Sequence, residues 1–212
     1  IGCKALMLFG NDEQKARYLP QLATGEIISC YALTEPGAGS DALSGRTSAT
    51  LSEDGAHYLL NGEKCFISNG SWADLAIVFA RVDGLYSALI VDLHAPGVSR
   101  GAEEKKMGQL GSSTTALVFE DTPVPVENLL GKPGDASRIA LNILNLGRLK
   151  LGFGCLGSAK YAINRAITYS LERRQFGQAI GRFDMQKGRL ASMIAKTYAT
   201  DAMCYRIAGA ID

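Results

Sequence analysis

Tyr31-Ala32-Leu33-Thr34-Glu35-Pro36-Gly37-Ala38-Gly39-Ser40-Asp41 begins as a short apolar run and turns at Glu35-Pro36. It then offers two glycines, a serine and an aspartate within five residues. Proline fixes φ at the bend, and glycine lets backbone approach a ligand with no Cβ in the way. Successive backbone N–H groups in such a turn can form an anion-binding nest, with the Ser40 hydroxyl as a further donor. The same residues read equally well as an ordinary Gly/Ser turn. At this point both readings stand: a strand entering a phosphate-binding loop, and a plain turn.

Outward from this stretch the hydrophobic period changes twice. On the N-terminal side, Ile1, Ala5, Leu6, Leu8 and Phe9 open an apolar segment. Asn11-Asp12-Glu13-Gln14 then reads as a helix start, with Asn11 as N-cap, acids in the first turn and Gln14 at the capping-box position. The helix is expected to bend near Pro20 and end at Thr24-Gly25-Glu26. From Ile27 to Leu33 the chain reads as a strand. Thr47–Leu51 and His57–Leu60 flank Glu53-Asp54-Gly55, a hairpin signal. Asn61-Gly62 gives a stronger one, expected to return the chain into Lys64–Ser68. Further strands are expected at Leu75–Arg81, Ser87–Asp92 and Ala116–Phe119. Short strands rich in β-branched and aromatic residues argue for a small antiparallel barrel or sandwich.

From about Asp135 the period becomes helical, with one helix running towards Ser170 and a second starting near Asp184. In the second, Leu190, Met193, Ile194 and Tyr198 share one side. Gly147, Gly152, Gly154 and Gly157 each cost the first helix roughly 1 kcal/mol relative to alanine, most easily offset where another helix packs closely. Gly152-Phe153-Gly154-Cys155-Leu156-Gly157 matches a dinucleotide fingerprint letter for letter, but that pattern requires a preceding strand in a βαβ unit. It reads as helix packing. The expected architecture is α+β: a helical tail over 1–27, a small antiparallel β-barrel or sandwich over 28–134, and long antiparallel helices of a partial α-bundle over 135–212. Ile1 at one end and an uncapped helix at the other read as cut from something longer.

Composition narrows the function classes. With 47% hydrophobic and 20% charged residues, the chain can bury a core and is not disordered. A net charge of +1 without a basic run gives no support to nucleic acid or an anionic membrane as partner. No apolar stretch is expected to reach the roughly 18 residues of a transmembrane segment. Five scattered cysteines with no C-x-x-C pair argue against disulfide or metal frameworks and suit a reducing compartment. His57 and His94 lie far apart without ligand spacing and read as satisfied surface or core histidines.

Three more stretches stand out: Phe66-Ile67-Ser68-Asn69-Gly70, the pair Lys106-Met107-Gly108 and Phe119–Gly131, and Arg173-Arg174-Gln175-Phe176-Gly177. Taken singly they are a strand end with a turn, a proline-stiffened exit, and surface arginines. In order with Tyr31–Asp41, they resemble the signatures of the acyl-CoA dehydrogenases, flavoenzymes that desaturate acyl-CoA thioesters. The likeness covers essentially the whole chain.

That resemblance implies FAD as cofactor and acyl-CoA as substrate. Tyr31, Ala32, Leu33 and Thr34 would run beside the flavin ring. Gly39 and Ser40 would meet its pyrophosphate, and Ser40 would also touch the acyl-CoA. Phe66, Ile67 and Ser68 would lie against the flavin, Phe66 on the ring face away from substrate and Ser68 near N5. Phe66 replaces the commoner tryptophan, which keeps the stacking face and loses the indole N–H. Arg173 would reach the flavin pyrophosphate of a neighbouring subunit, a role suited to a fixed, bidentate cation, and Phe176 belongs to the same flavin-binding set. Asp184 stands where the family often has glutamine, and can accept but not donate a hydrogen bond at neutral pH. Asn145 and Arg148 would line the acyl-CoA channel. Asp74 reads as structural.

Two branches carry their catalytic glutamate just before this arginine, where Gly147 stands here. Leu-Asn-x-Gly-Arg instead resembles the very-long-chain branch, whose base lies further on, so no catalytic residue is expected in this chain and the base is expected beyond Asp212. The chain alone is then expected to be inactive. The implied partners are an electron-transfer flavoprotein and further copies in a homodimer or homotetramer. The implied compartment is bacterial cytoplasm or mitochondrial matrix. An acyl-CoA oxidase-like flavoprotein and a non-catalytic flavin-binding or assembly scaffold are the alternatives.

Overall fold

A computed structural model of the protein describes residues 2–211. The chain divides into two compact units, Ile1–Ile143 and Leu144–Asp212, each considered by itself.

The first unit opens with α1 (Gly2–Phe9) and α2 (Asp12–Thr24). The capping box is formed as its residues dictate: Asn11 Oδ1 accepts from Gln14 N at 2.8 Å, and Gln14 Oε1 accepts from Asn11 N at 3.1 Å. Gln14 is buried because its Nε2 also donates to Glu127 O and Leu129 O, which seats α2 on the exit from the β-region. Pro20 lies inside the helix.

The strands are β1 (Ser29–Ala32), β2 (Ser48–Leu51), β3 (His57–Ser68), β4 (Leu75–Val82), β5 (Leu85–Asp92), β6 (Val98–Arg100), β7 (Thr114–Pro125) and β8 (Leu129–Leu130). They form one sheet in the order β6-β7-β3-β2-β4-β5-β8, with β1 also paired to β4. Alternation predicts an antiparallel arrangement, but β1 and β2 both pair with β4 in parallel. Strand direction is set by the connections, which a period of two does not report. Because β5 pairs with the whole of β4, β1 and β2 follow one another along its opposite edge. The segment between them therefore leaves and rejoins the same edge. At the centre, β4 is buried at every position except Arg81, and its near-continuous apolar run is what a strand covered on both faces requires.

Asn61-Gly62 does not make a hairpin. β3 runs unbroken from His57 to Ser68, pairing with β2 on one side and β7 on the other. The Asn61 amide exchanges two 2.9 Å bonds with Asp121, opposite a β7 bulge where Asp121 has φ 46°. Gly62 has φ 146°, and a Cβ there would lie 2.6 Å from Thr47 Oγ1. The glycine is needed for close strand approach, not for a turn.

The second unit holds most of α3 (Ala136–Glu172), a two-residue-strand hairpin of β9 (Arg174–Gln175) and β10 (Gln178–Ala179), and α4 (Asp184–Ala208). Phe176 and Gly177 have φ 50° and 79°, the two positive values that a tight primed turn demands. The glycine fingerprint lies inside α3, as its context requires. Close packing explains only one of the four glycines: a Cβ on Gly152 would lie 3.8 Å from Cys204 Sγ, whereas at 147, 154 and 157 it would meet nothing within 4 Å. Contrary to the sequence expectation, α3 is by length and composition apolar enough to cross a membrane, a test that core helices of water-soluble proteins also pass.

Candidate functional site

The segment after β1 is built around a buried carboxylate. Glu35 and Ala38 exchange backbone hydrogen bonds of 3.1 and 3.0 Å, closing the Glu35–Ala38 turn. The Glu35 side chain turns inward, where Oε2 accepts from Arg46 N at 2.6 Å and Oε1 from Thr47 N at 3.1 Å. Lys64 Nζ, fully buried, sits 2.7 Å from Oε1 and also donates to Leu33 O at 3.3 Å. Burial pushes the Glu35 carboxyl up, but the hydrogen bonds from Lys64, Arg46 and Thr47 and the Lys64 charge outweigh it and bring the pKa to about 2. Burial pulls the Lys64 ammonium down, opposed by Glu35. The turn beyond this anchor faces outward. Gly39 and Ser40 are exposed, and a Cβ on Gly37 or Gly39 would meet nothing within 4 Å. Neither glycine has positive φ, so no left-handed backbone conformation calls for glycine at these two positions.

The second element is the end of β3. Between Lys64 and Ile67 the register with β7 shifts, so that Cys65 and Phe66 oppose the single residue Ala116. At this bulge Phe66 takes φ 57°, a conformation rare for a bulky residue, and the residue is 64% exposed. Backbone strain at an exposed aromatic points to function. Cys65 N donates to Thr34 O at 2.9 Å, so the bulge lies directly against the strand leading into the glycine turn.

Side by side here are Thr34, half-buried, Phe66, and the exposed Ser68. Ala32, Leu33 and Ile67 belong to the buried core, which leaves only their backbones to meet a ligand. The Tyr31 ring packs edge-on against Phe79 at 5.1 Å, and its hydroxyl donates to Ala140 O at 3.4 Å. Beyond Ser68, Glu103 gathers the next turn, accepting from Ser71 Oγ, Ser113 Oγ and Thr114 N. In the second unit, Arg148 bonds Asn145 Oδ1 at 2.7 Å on the exposed side of α3. Arg173 is exposed where α3 ends, and Phe176, 92% exposed, tips the hairpin.

Neither Glu35 nor Lys64 is among the site residues expected from the sequence. A signal was present: Leu60, Gly62 and Lys64 share a strand face, so an inward lysine called for a buried anion. Splitting the strand at Asn61-Gly62 hid it. The two histidines, far apart in sequence, line one cavity of about 480 Å³ with Arg17, Tyr18, Asp74 and Asp92. There Asp74 accepts from Ile28 N at 2.8 Å and pairs with His94 at 2.9 Å, a tether between β1's approach and β4. None of the expected site residues lines this cavity.

Comparisons with known proteins bear on this arrangement. Family models of the acyl-CoA dehydrogenase N-terminal, middle and C-terminal domains match residues 1–26, 30–122 and 137–212. A probable acyl-CoA dehydrogenase of Bacillus subtilis is 49% identical over 99% of this chain and 35% of its own length. The mitochondrial very long-chain specific acyl-CoA dehydrogenase of Homo sapiens is 39% identical over 100% of this chain and 34% of its own. The crystal structure of an acyl-CoA dehydrogenase complexed with FAD from Bacillus anthracis superposes with TM-score 0.92 at 53% identity, covering 99% of this chain and 36% of that one. The chain belongs to the acyl-CoA dehydrogenase family, a family of oxidoreductases. It spans about a third of the length of these relatives.

Proposed function

We propose that this chain forms the flavin- and thioester-binding portion of an FAD-dependent acyl-CoA dehydrogenase, which converts an acyl-CoA to the trans-2-enoyl-CoA. The observation carrying this reading is Phe66: an exposed aromatic at positive φ on a bulge, hydrogen-bonded through its neighbour to the strand that enters an open Gly-Ser turn.

The residues suit the cofactor. A planar exposed ring offers an isoalloxazine a stacking face. The glycine turn, where a Cβ on Gly37 or Gly39 would meet nothing within 4 Å, offers the backbone N–H groups of Gly39 and Ser40 and the Ser40 hydroxyl to a pyrophosphate. When bound, FAD supplies the hydride acceptor at N5. Phe66 would exclude water from one ring face, Ser68 and Thr34 would hydrogen-bond the ring edge, and Ser40 would orient the thioester's CoA part. Arg173 and Phe176 would serve a flavin pyrophosphate across a subunit boundary, and Asn145 with Arg148 would line the acyl channel. Gly147 offers no carboxylate to the α-proton, so we place the base outside residues 1–212. Exposed Leu151, Tyr161, Tyr198 and Tyr205 on α3 and α4 support assembly into a homo-oligomer. The electron acceptor would be an electron-transfer flavoprotein. Five free thiols, together with bacterial and mitochondrial relatives, support a reducing compartment.

The test is an absorbance spectrum of the purified chain with added FAD, paired with intact-mass measurement and anaerobic acyl-CoA addition. A perturbed flavin spectrum, with reduction slowed about 10²–10⁴-fold against a complete dehydrogenase for want of a base, is the expected result. No FAD binding, or reduction at the complete enzyme's rate, would overturn it.

A further inference from the structure

We propose that Glu35 and Lys64 are positioning residues that hold the Gly39-Ser40 turn in register with Phe66, so that two separate stretches of chain act as one cofactor site. The proposal rests on the flavin reading above.

Three segments meet at this pair. Glu35 lies four residues before Gly39, and its carboxylate takes the amides of Arg46 and Thr47, where the loop rejoins the sheet. Lys64 reaches both Glu35 and Leu33 O, and the next amide along, Cys65 N, bonds Thr34 O. Phe66 follows immediately. Five directed hydrogen bonds therefore tie the loop's exit, its return and the bulge together. Gly45 completes the fit, since a Cβ there would lie 2.9 Å from Glu35 Oε1.

An apolar pair of similar volume would fill this space at least as stably, because taking two charges out of water offsets much of their attraction. What an apolar pair lacks is direction. Greasy contacts permit the turn to slide along β3, whereas a carboxylate fixed by donors from two other segments, the loop's return and β3, admits one register. Lysine is almost never fully buried unless paired, and neither side chain is exposed to a substrate. The pair therefore acts through the residues it holds.

The decisive variant is Glu35→Gln/Lys64→Met. It removes both buried charges and both Lys64 hydrogen bonds, and leaves one side-chain oxygen where the Arg46 and Thr47 amides had two. Hydrogen exchange should show the Cys65 amide losing protection by about tenfold or more while the β4–β5 ladder keeps its own. Unchanged protection at Cys65 would overturn the clamp. FAD affinity should fall by about tenfold, and the bound flavin's reduction potential should shift, which a loss of stability alone would not produce. If the unaltered chain binds FAD and the variant binds it equally, with the same potential, the positioning role is refuted. If the unaltered chain binds no FAD, the flavin reading falls, and the exchange result still judges the clamp. Should the variant not fold, the unaltered chain decides: the Arg46, Thr47 and Cys65 amides should exchange as one cooperative set, and unrelated rates would count against the proposal.

Discussion

Phe66 and Phe176 are the same residue type in nearly the same strained conformation, at φ 57° and 50°, and are 64% and 92% exposed. What holds them there differs. Phe66 sits in a 12-residue strand, beside a buried ion pair, with ladder partners on β7 before and after the bulge. Phe176 sits between two strands of two residues each, followed by Gly177 at positive φ and touching Phe183 edge-on at 6.2 Å. One backbone strain is imposed by tertiary contacts, the other by a local turn. The lesson is that an aromatic at positive φ says a site exists, and its surroundings say how stiff the site is.

The largest effect should come from breaking the support of the first aromatic. Lys64→Met leaves the Glu35 carboxylate buried without its cation and should destabilise the first unit by about 3–5 kcal/mol. Urea denaturation followed at the β-region would check this. A loss below about 1 kcal/mol would mean the pair behaves as a surface bridge, and the contrast with Phe176 would dissolve.

Acid offers a second way in. The Glu35 pKa is lowered on folding from its ordinary 4.5 to about 2. A depressed carboxylate pKa contributes stability that is fully present above 4.5 and is lost as pH falls towards 2. Melting temperature measured across that window should therefore fall in the unaltered chain and fall less steeply in Glu35→Gln. Parallel curves would place the acid sensitivity elsewhere.

Phe66→Gly should raise the stability of the first unit by up to about 1 kcal/mol, since strain is relieved and little buried area is lost. The same change should weaken FAD binding. A variant that is less stable would show that the ring packs on protein and not on a ligand.

The smallest effect belongs to the local turn. Gly177→Ala, at φ 79°, should cost about 1 kcal/mol or less, read as faster hydrogen exchange at the Gln178 and Ala179 amides alone. A loss spreading into α3 and α4 would make the two aromatics alike in being held by tertiary contacts.

Much of the fold was legible because local rules and global structure agree. Asn11 and Gln14 form their capping box, the hairpin at Glu53-Asp54-Gly55 joins β2 to β3, and α4 begins at Asp184 as read. The misreadings have particular causes. Asn-Gly is the strongest short hairpin signal, yet at 61–62 its asparagine pairs across a bulge and its glycine clears Thr47. Two-residue hairpins lie instead at Asp83-Gly84, between β4 and β5, and at Phe176-Gly177, where a bulky residue at positive φ disguises the turn. Of the candidate site, the Gly39-Ser40 turn and Phe66-Ile67-Ser68 were legible as motifs. Their adjacency was not, because a hydrogen bond between Thr34 and Cys65 joins residues 31 positions apart.

Periodicity, capping chemistry and ordered motifs are properties of neighbouring residues, and they were enough to give the longer elements, the helix starts and the family. The parallel pairing of β1 and β2 with β4, the inward turn of Glu35 onto Lys64 and the outward turn of Phe66 at its bulge emerge in the folded chain alone. All three share one cause. Each depends on which distant backbone groups and charges a residue meets once water is excluded, and no local preference contains that information.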